Sequence, residues 1–211
     1  MSKSKADHYT QILDLCDPLP PVVTAVVHPV KANVLEAVRD AVKENLIKPV
    51  LIGPSAKVLE AAKEAKVDIS GFQLIDAEHS HAAAAKAAEL ASAGKVQAIM
   101  KGSLHTDELL AAIVSASSGL RTERRISHSF LMSIASYPKP FINTDAAVNI
   151  APDLPVKADI VQNAVDLWRV VFGLDKKPRV GVLAAVETVN PKMQATLDAA
   201  CLLYTSPSPR D

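Results

Sequence analysis

The sequence is short of glycine, cysteine and aromatic side chains, and each shortage excludes something. Its seven glycines stand at Gly53, Gly71, Gly94, Gly102, Gly119, Gly173 and Gly181. No two are separated by a single residue, so the G-x-G-x-x-G dinucleotide fingerprint is absent. No two stand five apart, so the P-loop is absent as well. The two cysteines, Cys16 and Cys201, are far apart and form no C-x-x-C. A disulfide framework is excluded, and a reducing compartment is the expectation. Aromatics make up only 4%, so the core must be built mostly from Ala, Val, Leu and Ile. There is no excess charge of either sign: 23 Lys plus Arg balance 23 Asp plus Glu. That excludes a nucleic-acid binder held by bulk positive charge, and an acidic solvating tail. No apolar run reaches 18 residues, and the opening MSKSKADHYTQ has no apolar core. Neither a membrane span nor a secretion signal is expected, which makes the expected location cytoplasmic.

What is present is an alternation of short apolar runs with longer amphipathic stretches. Residues 21–29 (PVVTAVVHP), 48–53 (KPVLIG), 72–76 (FQLID) and 96–101 (VQAIMK) predict strands. Continuous β-branched runs of this kind suit strands buried on both faces. Helices are predicted over 31–46, from a cap at Ser55, over 79–93 up to Gly94, and from a cap at Thr106 or Asp107 to near Gly119. Four β–α units in about 120 residues point to an α/β domain with a largely parallel sheet. Short strand-like runs follow at 130–135 and 141–144, around the Pro138-Lys139-Pro140 turn. A helix is predicted from Pro155 to about Val171, then a buried strand at 179–186 (RVGVLAAV). The predicted division is a first α/β domain over 1–150 and the start of a second over 151–200. The last segment, 201–211 (CLLYTSPSPRD), lacks periodicity and matches the conceptual translation of a transposon-based sequencing adapter. It is taken as a non-native tail, with the natural chain continuing past Ala200.

Four segments carry candidate chemistry. KGSLHT (101–106) follows a strand and precedes a helix, where open α/β sheets bind ligands. Lys101 brings charge, Gly102 permits close backbone approach, Ser103 and Thr106 bring hydroxyls, and a helix N-terminus favours an anion. The plainer alternative is that Thr106 only caps the helix and Lys101 is solvated. GLRTERRISH (119–128) places Arg121, Arg124 and Arg125 together, and guanidinium forks match phosphate oxygens. A solvated face, with local pairing to Glu123, is its alternative. TDAAVNIAPD (144–153) embeds Asp145 and Asn149 among small apolar residues, so both are either buried and hydrogen-bonded or functional. ETVNPKM (187–193) follows the predicted last strand, which sets Glu187, Thr188 and Asn190 at a strand's carboxyl end; a polar turn is the alternative. The histidines lack ligand spacing, and no metal site is expected.

The strings MKGSLHTDELL, GLRTERRISH, TDAAVNIAPDL, KADIVQNAVDL and AVETVNPKM, in this order, closely resemble the phosphate acetyl/butyryltransferase family. The resemblance runs from about Pro21 to Ala200. It is similar to the standalone enzymes, or to the transferase half of the bifunctional enoyl-CoA hydratase/phosphate acetyltransferases. It implies two α/β domains with a cleft, like the isocitrate/isopropylmalate dehydrogenases, with a first domain that the chain re-enters later. It implies the reaction acyl-CoA + phosphate = acyl phosphate + CoA, with coenzyme A as substrate or product and no further cofactor or metal. The expected partners are acyl-CoA and inorganic phosphate, without nucleic acid or membrane, in a homodimer. The substrate-binding residues implied are Lys101, Gly102, Ser103 and Thr106 at the anion, with Arg121 and Arg124 as further cations. Asp145 and Asn149 would line the cleft, faced by Glu187, Thr188 and Asn190. The family's Ser-Arg motif and catalytic Asp would fall beyond Ala200. This chain alone is then expected to be inactive and to expose an apolar edge. Two alternatives stay open: an oxidoreductase of the same fold acting on a phosphorylated substrate, and a non-catalytic acyl-CoA-binding module.

Overall fold

The computed structural model describes residues 8–134 and 136–205. Residues 1–7 of the expected first domain, Ala135 of an expected strand and residues 206–211 of the expected tail lie outside the described residues. The chain forms two compact units, Cys16–Thr122 and Met1–Leu15 with Glu123–Asp211.

The Cys16–Thr122 unit is a run of β–α repeats. β1 (Val22–Val27), α2 (Ala32–Lys43), β2 (Ile47–Gly53), α3 (Ser55–Ala65), β3 (Gln73–Asp76), α4 (Ser80–Ser92), β4 (Ala98–Lys101) and α5 (Thr106–Val114) follow in order. The helix preceding them, α1, spans His8–Asp14 and belongs to the other unit. Among the described residues the sheet has the order β3-β2-β1-β4, and every pair is parallel.

Side chains alternate strictly across this sheet. Val26 and Leu51 face α2 and α3, packing with Leu35, Val38, Val58 and Ala62. Ala25, Val27, Val50 and Ile52 face the opposite way, onto Ala83, Ala84, Ala87 and Leu90 of α4 and Leu109 of α5. Both faces are covered, which is why these strands read as unbroken apolar runs. The alanines of α4 let that helix lie close over β1 and β2. Gly94, at a φ of 67°, ends its run just past the helix, as the sequence predicts.

Two helix starts differ from expectation. Pro54 occupies the N-cap position of α3, and Ser55 begins the helix with its hydroxyl and amide both donating to Asp76 Oδ1, at 2.6 and 2.8 Å. At α5 the N-cap position belongs to His105, not Thr106 or Asp107. Both acidic residues of its first turn, Asp107 and Glu108, favour the helix electrostatically without capping it.

The other unit holds an antiparallel hairpin of β5 (Ser129–Met132) and β6 (Phe141–Thr144), then α6 (Leu154–Phe172) and α7 (Gln194–Thr205). Asp153 caps α6 by accepting from the Val156 amide at 3.0 Å. The compact unit therefore ends at Thr122, earlier than the change of pattern near 150. The reason is local: the hairpin pairs with itself, and α6 side chains hold residues 124–127 in the same unit. The strand expected at 179–186 does not form. A strand exists only through ladder partners, and among the described residues none pairs with this segment. Val180 and Leu183 stay exposed. Residues 201–205 of the expected tail continue α7, with Leu202 buried.

Candidate functional site

In the order 3-2-1-4, α2 after β1 packs on one face of the sheet and α5 after β4 on the other, so a crevice opens at the carboxyl ends of these two strands. A cavity of about 350 Å³ lies there. Three helices begin at it, among the described residues. Lys31, Asn33 and Val34 come from the start of α2, Ser80 from the start of α4, and His105 and Glu108 from the start of α5. Lys101, Gly102, Ser103 and Leu104 complete the wall. Neither Lys31 nor His105 caps its helix with its side chain, although the Val34 amide in the first turn of α2 turns back to the Lys31 carbonyl. Two lysines and three helix N-termini, one of them capped by the His79 side chain, stand against the single carboxylate of Glu108, so the lining carries a net positive charge.

The turn after β4 is held by backbone. The Gly102 and Ser103 amides donate to the Val27 and His28 carbonyls, each at 2.9 Å. His28 Nδ1 lies 2.9 Å from the Ser103 carbonyl. Lys101 Nζ donates to the Leu104 carbonyl at 3.0 Å, which folds the ammonium over the loop. Gly102 is thus demanded by the neighbouring strand: a Cβ there would lie 2.3 Å from the Val27 carbonyl oxygen. Close approach was expected toward a ligand; the structure shows it toward β1. Ser103 Oγ is sealed from solvent and, among the described residues, has no hydrogen-bond partner.

Of the expected residues in this unit, the cavity gathers Lys101, Gly102 and Ser103. Thr106 begins α5 as an exposed residue outside the lining, and Arg121 is exposed beyond α5. The others belong to the second unit. Arg124 donates to Asp166 Oδ2 at 2.6 Å. This partner lies on α6, far along the chain, and the contact holds the Asp166 carboxyl below the usual range. The Arg125 amide donates to Asp159, and Asn163 Nδ2 donates to the Arg125 carbonyl and Ser127 Oγ.

Asp145 and Asn149 are brought together. The Asp145 carboxylate accepts from the amides of Ala147, Val148 and Asn149 and from Asn149 Nδ2, the last at 2.6 Å. Asn149 Nδ2 also donates to the Ile126 carbonyl at 3.0 Å. Burial raises the Asp145 carboxyl, but the amides of Val148 and Ala147 and the Asn149 side chain outweigh it and bring it down to about 2. Glu187 and Thr188 lie exposed in a loop, not at a strand's carboxyl end, because the strand before them is absent. Asn190 shapes a turn: its side chain accepts from the Lys192 amide, and its backbone bonds Thr196 Oγ1 in both directions. Among the described residues no group of three or more His, Cys, Asp or Glu could hold a metal ion.

Residues 78–205 match the family model described as phosphate acetyl/butaryl transferase. The chain belongs to that family. Relatives in the phosphate acetyl/butaryl transferase family include the phosphate acetyltransferase of Rickettsia typhi, 57% identical over 93% of this chain and 56% of its own length. The phosphate butyryltransferase of Clostridium acetobutylicum is 37% identical over 80% of this chain and 56% of its own. The chain thus spans a little over half the length of these curated relatives. The fold is shared with a solved branched-chain phosphotransacylase from Enterococcus faecalis V583, at a TM-score of 0.69 and 23% identity, covering 88% of this chain and 65% of that one. The phosphotransacetylase from Streptococcus pyogenes gives 0.68 at 16% identity, over 97% and 71%. Neither the oxidoreductase nor the non-catalytic alternative is favoured by relatives bearing these names.

Lys31, Asn33, Ser80 and Glu108 line the cavity but are not among the residues expected from the sequence of this family member. A signal existed for the first two: HPVKAN (28–33) follows β1 as KGSLHT follows β4, and the same strand-end rule applies to both.

The Asp145 turn predicts acid sensitivity. Its carboxyl lies below its ordinary 3.8 in the folded chain, so the stabilisation is complete above about pH 4 and is lost as pH falls toward 2. Asp145→Asn is expected to cost about 1–2 kcal/mol at pH 6, allowing for solvent screening. The gap to the native chain narrows at pH 3, as read by urea unfolding at both values. An unchanged gap at the two pH values would exclude the carboxylate as its source.

Proposed function

We propose that this chain is part of an acyltransferase that moves an acetyl or other short acyl group between coenzyme A and inorganic phosphate. The cavity at the β1–β4 crevice supplies its anion site. Family membership supports the reaction class. The observation that carries the site is the convergence of Lys31, Lys101 and the N-termini of α2, α4 and α5 on one hollow. A two-domain arrangement like that of the isocitrate/isopropylmalate dehydrogenases, a cytoplasmic location and a homodimer belong to the same proposal, as does chemistry without a further cofactor. Among the described residues no helix is long and apolar enough to cross a membrane.

The physical demand of such a reaction is to hold a hydrated dianion in line with a thioester carbon. Stripping its water and fixing its orientation removes an entropy and desolvation barrier. Fixed donors then stabilise charge on the carbonyl oxygen and the departing thiolate. Lys101, Ser103 and the Gly102 turn sit where the first task is done. Thr106, Arg121, Arg124, Asp145, Asn149, Glu187, Thr188 and Asn190 remain the further proposed substrate contacts, carried by the family resemblance.

Two measurements test this. A full-length protein containing this segment, mixed with acetyl-CoA and phosphate, is expected to release thiol in proportion to acetyl phosphate formed. Lys31→Ala in the 211-residue chain is expected to weaken phosphate binding about tenfold, as for loss of one charge-assisted contact. Thiol release without acyl phosphate would sink the reaction; unchanged phosphate affinity would sink the site.

A further inference from the structure

Residues 180–186 (VGVLAAV) carry neither charge nor proline, and a charge closes the run at each end, Arg179 before it and Glu187 after it. Every residue from 179 to 189 is exposed. Leu183, at the centre, is 87% exposed. Among the described residues no backbone hydrogen bond engages this stretch. The backbone runs without a turn from 179 to 184 and bends at 185–188. Its amides and carbonyls are open, as they are along an unpaired sheet edge, and such an edge templates pairing with a further strand.

The end charges select the partner. When a second copy of the segment is laid antiparallel, with Leu183 opposite Leu183, each copy's Arg179 opposes the other copy's Glu187. Val180 then stands opposite Val186, and Val182 opposite Ala184, on one face of the ribbon. Parallel, in-register pairing would instead set Arg179 against Arg179 and Glu187 against Glu187. The chain's formal net charge is zero, so the approach of two copies meets no long-range repulsion. We propose that residues 179–187 are a self-association site, through which two copies of this chain pair as an antiparallel ribbon about a two-fold axis. Pairing straightens the bend at 185–188. The site is separate from the phosphate cavity and depends neither on that cavity nor on acyl transfer. A ribbon one strand wide on each side is marginal and buries less than a stable interface needs, so the dissociation constant is expected at roughly 10–1,000 µM.

The test is sedimentation equilibrium of the 211-residue chain at low ionic strength, from about 5 µM to about 1 mM. A reductant is present because Cys201 is exposed. The native chain is expected to pass from monomer toward dimer across this range. Arg179→Glu alone and Glu187→Arg alone each set like charges opposite one another at both ends of the ribbon, and each is expected to weaken association about tenfold. Mixed in equal amounts, the two variants regain both opposite-charge pairs between unlike copies, so the mixture is expected to associate like the native chain. Amides of 180–186 are expected to exchange rapidly with deuterium at the lowest concentration and to gain protection at the highest. A native chain that stays monomeric throughout overturns the inference. So does association that both variants keep in full, which would put the contact elsewhere, and so does a mixture that associates no better than its components. Protection of 180–186 already at the lowest concentration overturns it too, because the segment would then be covered within its own chain.

Discussion

Gly102→Ala is expected to destabilise the Cys16–Thr122 unit by about 3 kcal/mol or more, at the upper end of overpacking effects. The added Cβ would stand 2.3 Å from the Val27 carbonyl oxygen and 2.9 Å from that of His28. Both obstacles are backbone, not the free end of a side chain. Both carbonyls also accept the hydrogen bonds that tie the turn to β1, so neither can recede without loosening that tie. Thermal unfolding followed by circular dichroism reads the effect. Gly71→Ala is the control: nothing lies within 4 Å of a Cβ there, and its change is expected to stay within about 0.5 kcal/mol. Equal melting of the two variants would show that the turn gives way cheaply. Because Gly102 also walls the cavity, any folded remnant of the variant is expected to bind phosphate poorly.

Leu51→Ala is expected to cost about 3–4 kcal/mol, the range for a buried leucine whose site cannot collapse. Leu51 has no exposed surface and sits on β2, between β1 and β3. It fills the layer shared with Leu35, Val38 and Val58. The strand ladders on either side keep the surrounding backbone from moving into the void. Leu59, on α3, is 55% exposed, and Leu59→Ala is expected to change stability by less than about 0.5 kcal/mol. Urea unfolding of both variants makes the comparison. Similar losses would mean that the layer beneath α2 and α3 is loosely packed.

Much of the first unit is legible in the sequence. Val22–Val27 and Ile47–Gly53 stand out because strands covered on both faces need apolar residues at every position. The amphipathic stripes of α2 and α3 are visible for the same reason. Helix starts were less legible. Thr106 and Asp107 have good capping chemistry, yet the chain turns one residue earlier, at His105, because the Gly102–Ser103 crossing over β1 sets where the loop ends. RVGVLAAV failed for a different reason. An apolar run records a preference for burial, whereas a strand also requires a neighbour to bond. Arg124 shows the same limit in electrostatics: its partner Asp166 lies on α6, and a window of a few residues could only offer Glu123.

By itself, the sequence determined the β–α alternation, the parallel pairing it forces and the family. These depend on residues near one another along the chain, where side-chain period and turn chemistry act directly. Only the tertiary structure decided that β4 lies beside β1. That neighbour relation puts Lys31, Lys101 and Glu108 around one hollow. Periodicity records which face of a strand is buried but not which strand stands next to it. Strand order is settled by packing the whole sheet between its helices.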